Sequence, residues 1–376
     1  MVDIKGQFRF VFSIGEFDDF LSSEQVETFT VIEEVGNVLP SFRLEIKLIE
    51  EDVIKVFNEG NVLKVSYGRD QDHMRSCELR VLRMDTYPDG DDFRRVLLSG
   101  LVDAVGWLNT SYCRYYQNKT SLDVIQEVGG EYFDVVLNGN TARDTMTWLQ
   151  PGITNKRFIN EVWLHSNIPD TVPLVGITAD KRFIIRTTRQ LKEIDWRLVY
   201  SGLNGPTDIP YQSNYHVEVR SGFMNSWYGY GRDKKLFDWE MGNTVFENQQ
   251  AEVFLAQART LNRSSGVKTR FDNASFINDN VHDNYWAAFM RNLSYLVSGS
   301  SVKLMVRVVD YYFDVDILDS VIFLDRRQDD KKEEVIEFFS GRYVVGKVVR
   351  NLSNRQFTMG LELYREALNS GKGEMR

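Results

Sequence analysis

Two stretches of this sequence, one near each end, alternate apolar and polar residues in the same way. The C-terminal stretch, residues 301–367, opens with the alternating segment Val302 to Val308, and the N-terminal stretch has the same alternation from Phe42 to Leu48. In both, a second apolar run, a charged loop and two further apolar segments follow at similar spacing. A period of two predicts strands that bury one face. The sequence therefore predicts two similar antiparallel β-barrels, with two unrelated antiparallel sheets as the alternative.

The alternation also predicts which side chains point into each barrel, because every second residue of a strand lies on the same face. The predicted barrel-core residues are Phe42, Leu44, Ile46, Val302, Leu304 and Val306.

The region between the two stretches changes to a mixed α and β pattern. Thr120 or Ser121 can cap a helix over 122–128, and Thr154 or Asn155 can cap a second helix. A third helix, over 284–297, has its apolar residues on one stripe. The predicted fold class is therefore α+β, mostly β, with an α+β middle domain and an insert.

The changes of pattern also give predicted boundaries. The first barrel occupies residues 1–112, the middle α+β domain 113–195, the second barrel 196–235 plus 299–367, the insert 236–298 and a short tail 368–376.

The composition restricts the classes of function. The formal net charge is -9, whereas a protein that grips nucleic acid by its phosphates needs a basic face. No apolar run is long enough to span a membrane, so we expect no membrane insertion by this chain. The N-terminus lacks the pattern of a signal peptide, which predicts folding in a cytoplasm.

No motif in the sequence demands catalysis, a cofactor or a metal. The four histidines are scattered, Cys77 and Cys113 have no metal-ligand spacing, and the acidic run from Asp89 to Asp92 fits a hairpin turn better than a calcium loop. The seven tryptophans leave open a carbohydrate-binding or adhesin module. A glycoside hydrolase with two unrecognised carboxylates is a further alternative.

The order of the parts resembles a known family. A barrel is followed by Ser121-Leu122-Asp123-Val124-Ile125, then by Trp148-Leu149-Gln150 and Phe158-Ile159-Asn160-Glu161-Val162, and finally by Ser340-Gly341-Arg342-Tyr343-Val344-Val345-Gly346-Lys347-Val348 and Leu361-Glu362-Leu363-Tyr364-Arg365. This order resembles the baseplate hub proteins of contractile-tailed bacteriophages. It is also similar to the hub portion of the valine-glycine-repeat spike proteins of type VI secretion.

The resemblance implies a structural protein of the virion baseplate, without catalysis, assembled in the host cytoplasm. Its partners would be two further copies in a homotrimer, a central spike protein on a separate chain, tail tube proteins and other baseplate proteins. The two barrels would be tube domains, and three chains would form a ring of six through which DNA passes without specific binding. The candidate residues on strands facing this ring are Leu97, Leu98, Leu101, Met359, Leu361 and Leu363.

Overall fold

The computed structural model of the chain describes residues 9–14, 17–18, 25–49, 53, 61–68, 74–200, 208–212, 215–219, 232–238, 243–249, 270–276, 281–308, 314–329, 332–335, 339–353 and 356–366. The tail at 368–376, Trp227 and Trp239 lie outside these residues.

The described elements fall into three groups along the chain. The first group contains β1 (Arg9–Ile14), β2 (Phe17–Asp18), β3 (Val26–Glu34), β4 (Ser41–Ile49), β5 (Val62–Gly68), β6 (Met74–Pro88) and β7 (Phe93–Val102). The second contains α1 (Val105–Asn109), β8 (Ser111–Lys119), α2 (Ser121–Gly129), β9 (Asp134–Val136), β10 (Met146–Thr154), α3 (Asn155–Leu164), β11 (Pro173–Ile177), β12 (Arg182–Thr187) and a 3₁₀ turn (Gln190–Lys192). The third contains β13 (Trp196–Tyr200), β14 (Asp208–Tyr211), β15 (His216–Val219), β16 (Arg232–Asp238), β17 (Asn243–Gln249), β18 (Arg270–Phe276), α4 (Tyr285–Gly299), β19 (Val302–Val308), β20 (Ser320–Leu324), β21 (Arg326–Asp329), β22 (Lys332–Val335), β23 (Gly341–Ser353) and β24 (Gln356–Arg365).

Fourteen of these strands form one sheet, and the predicted class, α+β and mostly β, is confirmed. At its C-terminal end the sheet closes into a six-stranded barrel, in the order β19, β14, β13, β20, β23, β24 and back to β19. At its N-terminal end β3, β4, β7, β6, β5 and β1 follow one another without closing among the described residues. The two ends share one hydrophobic cluster, because their buried faces are continuous.

Each end contains the same four-strand unit, which we call the N-terminal module (β4 to β7) and the C-terminal module (β19, β20, β23 and β24). In both, the first strand pairs with the fourth, the fourth with the third and the third with the second, always antiparallel. The internal repeat is therefore present in the strand pairing.

The registers of the two modules match as well. Phe42 of β4 stands opposite Gly100 of β7, and Leu304 of β19 stands opposite Leu363 of β24. The third strand of each module carries one extra residue at this level, Leu82 in β6 and Gly346 in β23. Such a bulge bends a strand and increases its twist, so both modules curl at the same point.

The middle domain is built on capped helices, as predicted. Thr120 and Asp123 form a capping box at α2, in which each side chain binds the other residue's backbone N–H. Thr154 caps α3 by accepting from the Arg157 N–H. The two helices bury apolar faces against Trp107 and against the small sheet of β9, β12 and β11.

Strand β16 pairs with β17 and β18, so residues 232–235, predicted as part of the second barrel, belong to the same sheet as strands of the predicted insert. Helix α4 starts one residue later and ends two residues later than predicted. No helix among the described residues combines the length and the apolarity needed to cross a membrane.

Gly346 is required where β23 bulges, because a Cβ at this position would collide with the Tyr364 ring. We expect Gly346→Ala to lower the free energy of unfolding by about 1–3 kcal/mol, the usual cost of overpacking. Gly360→Ala is the matched control, since its Cβ would meet nothing nearer than the Val349 Cβ at 3.9 Å. Urea unfolding of both variants checks this, and equal midpoints for the two would contradict it.

Candidate functional site at the junction of the two modules

The two modules are joined through strand β23, which has a different partner at each end along one edge. Its first residues, Gly341 to Val344, pair with β20 inside the C-terminal barrel. From Lys347 to Ser353 the same edge pairs with β3, which in turn pairs with β4 of the N-terminal module. The change falls at Gly346, whose carbonyl accepts a 2.8 Å hydrogen bond from the Val35 N–H. We call this pairing of β3 with β23 the junction.

A buried ion pair lies beneath the junction. Glu33 of β3 and Arg350 of β23 are 0% and 1% exposed, and the guanidinium donates to the carboxylate. The second oxygen of Glu33 accepts from the Ala179 N–H at 2.7 Å, in the middle domain. Arg350 also donates to the Val315 carbonyl at 2.6 Å, in the loop before β20.

Asp316 extends this pair into a network. Its carboxylate receives Arg75 of β6 at 2.7 Å, Arg182 of β12 at 2.8 Å and Arg350 at 3.4 Å. Burial opposes ionisation of Asp316, but the nearby Arg75 and Arg350 outweigh it, so its pKa is lowered. The charged form is therefore the stable one in the folded chain.

The network binds four parts of the chain to one another. The N-terminal module supplies Arg75, β3 supplies Glu33, the middle domain supplies Arg182, and the C-terminal barrel supplies Asp316 and Arg350. Buried charges need partners of opposite sign in good geometry, so any other relative position of these parts would leave a charge unpaired. The network thus specifies how the two modules sit against each other.

A second polar cluster lies between the middle domain and the C-terminal barrel, around a cavity of about 470 Å³. Arg186 of β12 reaches Asp195 at 2.7 Å and Asp319 at 3.4 Å. The Trp196 indole also donates to Asp319, at 3.1 Å. Burial, with Asp316 and Asp195 nearby, raises the pKa of Asp319 to about 7.

The structure places the six predicted core residues in one shared core. Each is at most 4% exposed, and each belongs to the cluster that runs through both modules; they are Phe42, Leu44, Ile46, Val302, Leu304 and Val306.

The predicted ring-facing residues divide into two groups. Leu98, Met359, Leu361 and Leu363 are at most 1% exposed, so their side chains fill the chain's own core and not a subunit contact. Leu97 and Leu101 are half-buried on the opposite face of β7. The reason for the difference is the period of two: Leu98 is opposite Leu44 on the inner face, which places Leu97 and Leu101 outside.

Three of the tryptophans and the acidic turn considered in the sequence have structural roles. Trp107, Trp148 and Trp163 are at most 8% exposed, and each donates its indole N–H to a partner in the chain. Within the described ranges no cluster of three metal-ligating side chains occurs. Asp89 lies in a hairpin turn and pairs with Lys47 at 2.8 Å.

Sequence reasoning missed the buried network, although the alternation contains a signal for it. Glu33 shares a face with the buried Phe29 and Val31, and Arg350 shares one with Val348. A single charge at a buried position of a strand implies a buried partner of opposite sign.

Solved structures with this architecture are phage tail proteins. The 43 kDa tail protein of prophage MuSo2 from Shewanella oneidensis has a TM-score of 0.63 at 10% sequence identity, covering 96% of this chain and 99% of that chain. The tail protein from Neisseria meningitidis MC58 has a TM-score of 0.57 at 11% identity, covering 96% of each chain.

The fold also occurs in type VI secretion. The E. coli c3393 protein is a component of that system with structural similarity to the T4 bacteriophage tail proteins gp27 and gp5. Its TM-score is 0.51 at 10% identity, covering 96% of this chain and 78% of that chain. The resemblance inferred from the order of the motifs is therefore confirmed in the fold. No family model and no curated protein matches the sequence.

The network predicts a large cost for removing Asp316. Asp316→Asn leaves Arg75 without its buried counter-charge and removes one of the two carboxylates that contact Arg350, so we expect the free energy of unfolding to fall by about 3–5 kcal/mol. Asp89→Asn, which breaks an ion pair at the surface, is expected to change the free energy of unfolding very little, because water and salt screen such pairs. Chemical denaturation of both variants at pH 7 checks this; a loss for Asp316→Asn no larger than for the control would contradict the role of the network.

The raised pKa of Asp319 predicts that the stability of the chain depends on pH. Because its pKa is raised on folding, its contribution is fully present below its unfolded pKa of about 3.9 and is lost as pH rises through about 7. Asp319→Asn cannot ionise, so the stability of wild type relative to this variant should fall between pH 5 and pH 8. Urea unfolding at both pH values measures the difference, and a constant difference would contradict the assignment.

Proposed function

We propose that this chain is a structural baseplate hub of a contractile injection machine. In this proposal a homotrimer adapts a threefold central spike to a sixfold tail tube and lines the channel for DNA. The supporting observation is the four-strand module that occurs twice with the same pairing order and register. Three chains with two modules each supply six similar units, which a ring continuous with a sixfold tube requires.

The junction supports the proposal because it makes two modules behave as one body. A sixfold ring built from three chains has two kinds of contact between neighbouring modules, one inside each chain and one between chains. The two contacts need similar geometry. The continuous β3–β23 pairing and the buried network beneath it supply a contact of fixed geometry. Strand pairing and buried ion pairs both have strict geometric requirements.

The proposed partners follow from this arrangement. They are two further copies of the chain, a central spike protein, tail tube proteins and other baseplate proteins, all within the tail baseplate of a virion assembled in the host cytoplasm. The proposed role is structural, without catalysis. With a net charge of -9, the chain would repel the phosphates of passing DNA and let it slide.

Native mass spectrometry of the purified chain tests the proposal. We expect a single main species with three times the 43.7 kDa mass of one chain. Light scattering at several concentrations is the control, because a specific trimer keeps a constant mass where nonspecific association does not. A monomer at all concentrations, or a closed dimer, would contradict the hub assignment.

A further inference from the structure

We infer that the edge of β6 from Leu82 to Pro88 binds strand β15 of a second copy of this chain, so that the sheet continues from one subunit to the next. The inference rests on the proposed trimer and specifies which surfaces join it.

The difference is that an edge paired in one module is open in the other. The bulges make residues 83–88 of β6 equivalent to 347–352 of β23. In β23 this edge pairs with β3. In β6, strand β5 reaches only to Arg80, and no described strand pairs with the edge beyond it. An open edge presents backbone N–H and C=O groups that can pair with another chain.

Burial shows the same contrast. Arg350 in β23 is 1% exposed, whereas its equivalent, Thr86 in β6, is exposed although it stands opposite the fully buried Val96 on the inner face. Leu82 and Tyr87 on the same edge are 61% and 53% exposed. The open segment of β6 therefore exposes Leu82 where β23 has Gly346, and it exposes Thr86 where β23 buries Arg350.

The equivalence also identifies the strand that fits this edge. In the N-terminal module, β3 pairs with β4 so that Val31 stands opposite Phe42. In the C-terminal barrel, β15 pairs with β19 so that Val217 stands opposite Leu304, the residue equivalent to Phe42. Strand β15 thus takes the place of β3, and it lies at the end of the sheet order with no described strand on its other side.

The contacts around β15 and β3 support this equivalence. Phe29 of β3 packs edge-on against Tyr67, with ring centroids 5.4 Å apart. The equivalent of Phe29 is Tyr215, next to β15, and the equivalent of Tyr67 is Asp325; the Tyr215 hydroxyl donates to the Asp325 carboxylate. The same two positions contact each other in both halves of the chain.

The residues that replace the buried ion pair at the two edges are both uncharged. At the junction, Glu33 and Arg350 form the buried ion pair. Their equivalents across the inferred interface are Val219 and Thr86, and both are uncharged. Val219 is 41% exposed in the single chain, an apolar residue at the edge of a sheet. Both members of the pair have changed together, so the interface would bury no unpaired charge.

Transferring the register of the junction gives specific cross-strand pairs. These would be Met84 with Val219, Asp85 with Glu218, Thr86 with Val217 and Tyr87 with His216. Asp85 and Glu218 are both acidic. Arg83 pairs with Asp85 at 3.0 Å, and Glu218 stands opposite Lys303, which pairs with Glu362 at 2.7 Å. Each chain contributes two different edges, so the contact is head-to-tail, the kind of contact that a closed ring such as the proposed trimer requires.

Disulfide trapping in the intact chain tests this register. In a Cys113→Ser background, which removes the exposed native thiol, Tyr87→Cys and His216→Cys would stand directly opposite each other between chains. We expect oxidation to link most of the protein into covalent dimers and trimers on a non-reducing gel. Arg83→Cys with His216→Cys is the matched control, because four residues along a strand displace the thiols by about 13 Å, beyond disulfide reach.

Mixing the two single variants identifies the contact as one between chains. The Tyr87→Cys and His216→Cys proteins together should form only the mixed dimer. A chain that is trimeric by native mass but links no better than the control would overturn the interface and leave the hub proposal standing. A monomeric chain would overturn both.

Exchanging charges gives a second test that does not need a disulfide. Val219→Glu should dissociate the trimer without unfolding the chain, because this residue is exposed in the monomer. Adding Thr86→Arg rebuilds the equivalent of the Glu33–Arg350 pair across the interface and should restore most of the trimer. A trimer unaffected by Val219→Glu, or a double variant that stays monomeric, would contradict the inferred register.

Discussion

The buried ion pair between Glu33 and Arg350 is the interaction on which the rest of this structure depends. It lies beneath the only strand pairing seen between the two modules in the described part of the chain. Through Asp316 it is connected to Arg75 of the N-terminal module and to Arg182 of the middle domain. A hydrophobic core alone tolerates small shifts between packed sheets, since apolar contacts are not directional. Paired charges that are buried away from water do not tolerate such shifts, so the network selects one arrangement of the modules.

The two modules differ at one strand edge, the edge that would meet a neighbouring subunit in the proposed ring. Both have the same four strands, the same register and a bulge at the same level. One edge is closed inside the chain by β3, and no strand of the described residues pairs with its equivalent on β6 from Leu82 to Pro88. Proteins usually protect open edges with short strands, charges or bulges. The edge of β6 has such a bulge and the charged Arg83 and Asp85, but it also exposes the large apolar side chains of Leu82 and Tyr87, which a partner would cover.

Much of the fold could be predicted from local patterns, because they report local physics. The period of two located β4 and β19, and Thr120 and Thr154 marked the starts of their helices. The open edge of β6 was not predictable, because pairing between distant strands leaves little trace in either one. The buried network was missed for a related reason: its charges come from five distant positions and have meaning only once the fold brings them together.

The claim that two similar modules are joined rigidly in one chain predicts a particular shape for the assembly. Electron cryomicroscopy of the purified chain, averaged in end-on views without imposed symmetry, measures that shape directly. The account predicts a ring with a central opening and six similar lobes. The lobes of the N-terminal and C-terminal modules alternate around a threefold axis. A ring with only three β lobes, or lobes whose spacing within a chain varies from particle to particle, would contradict it.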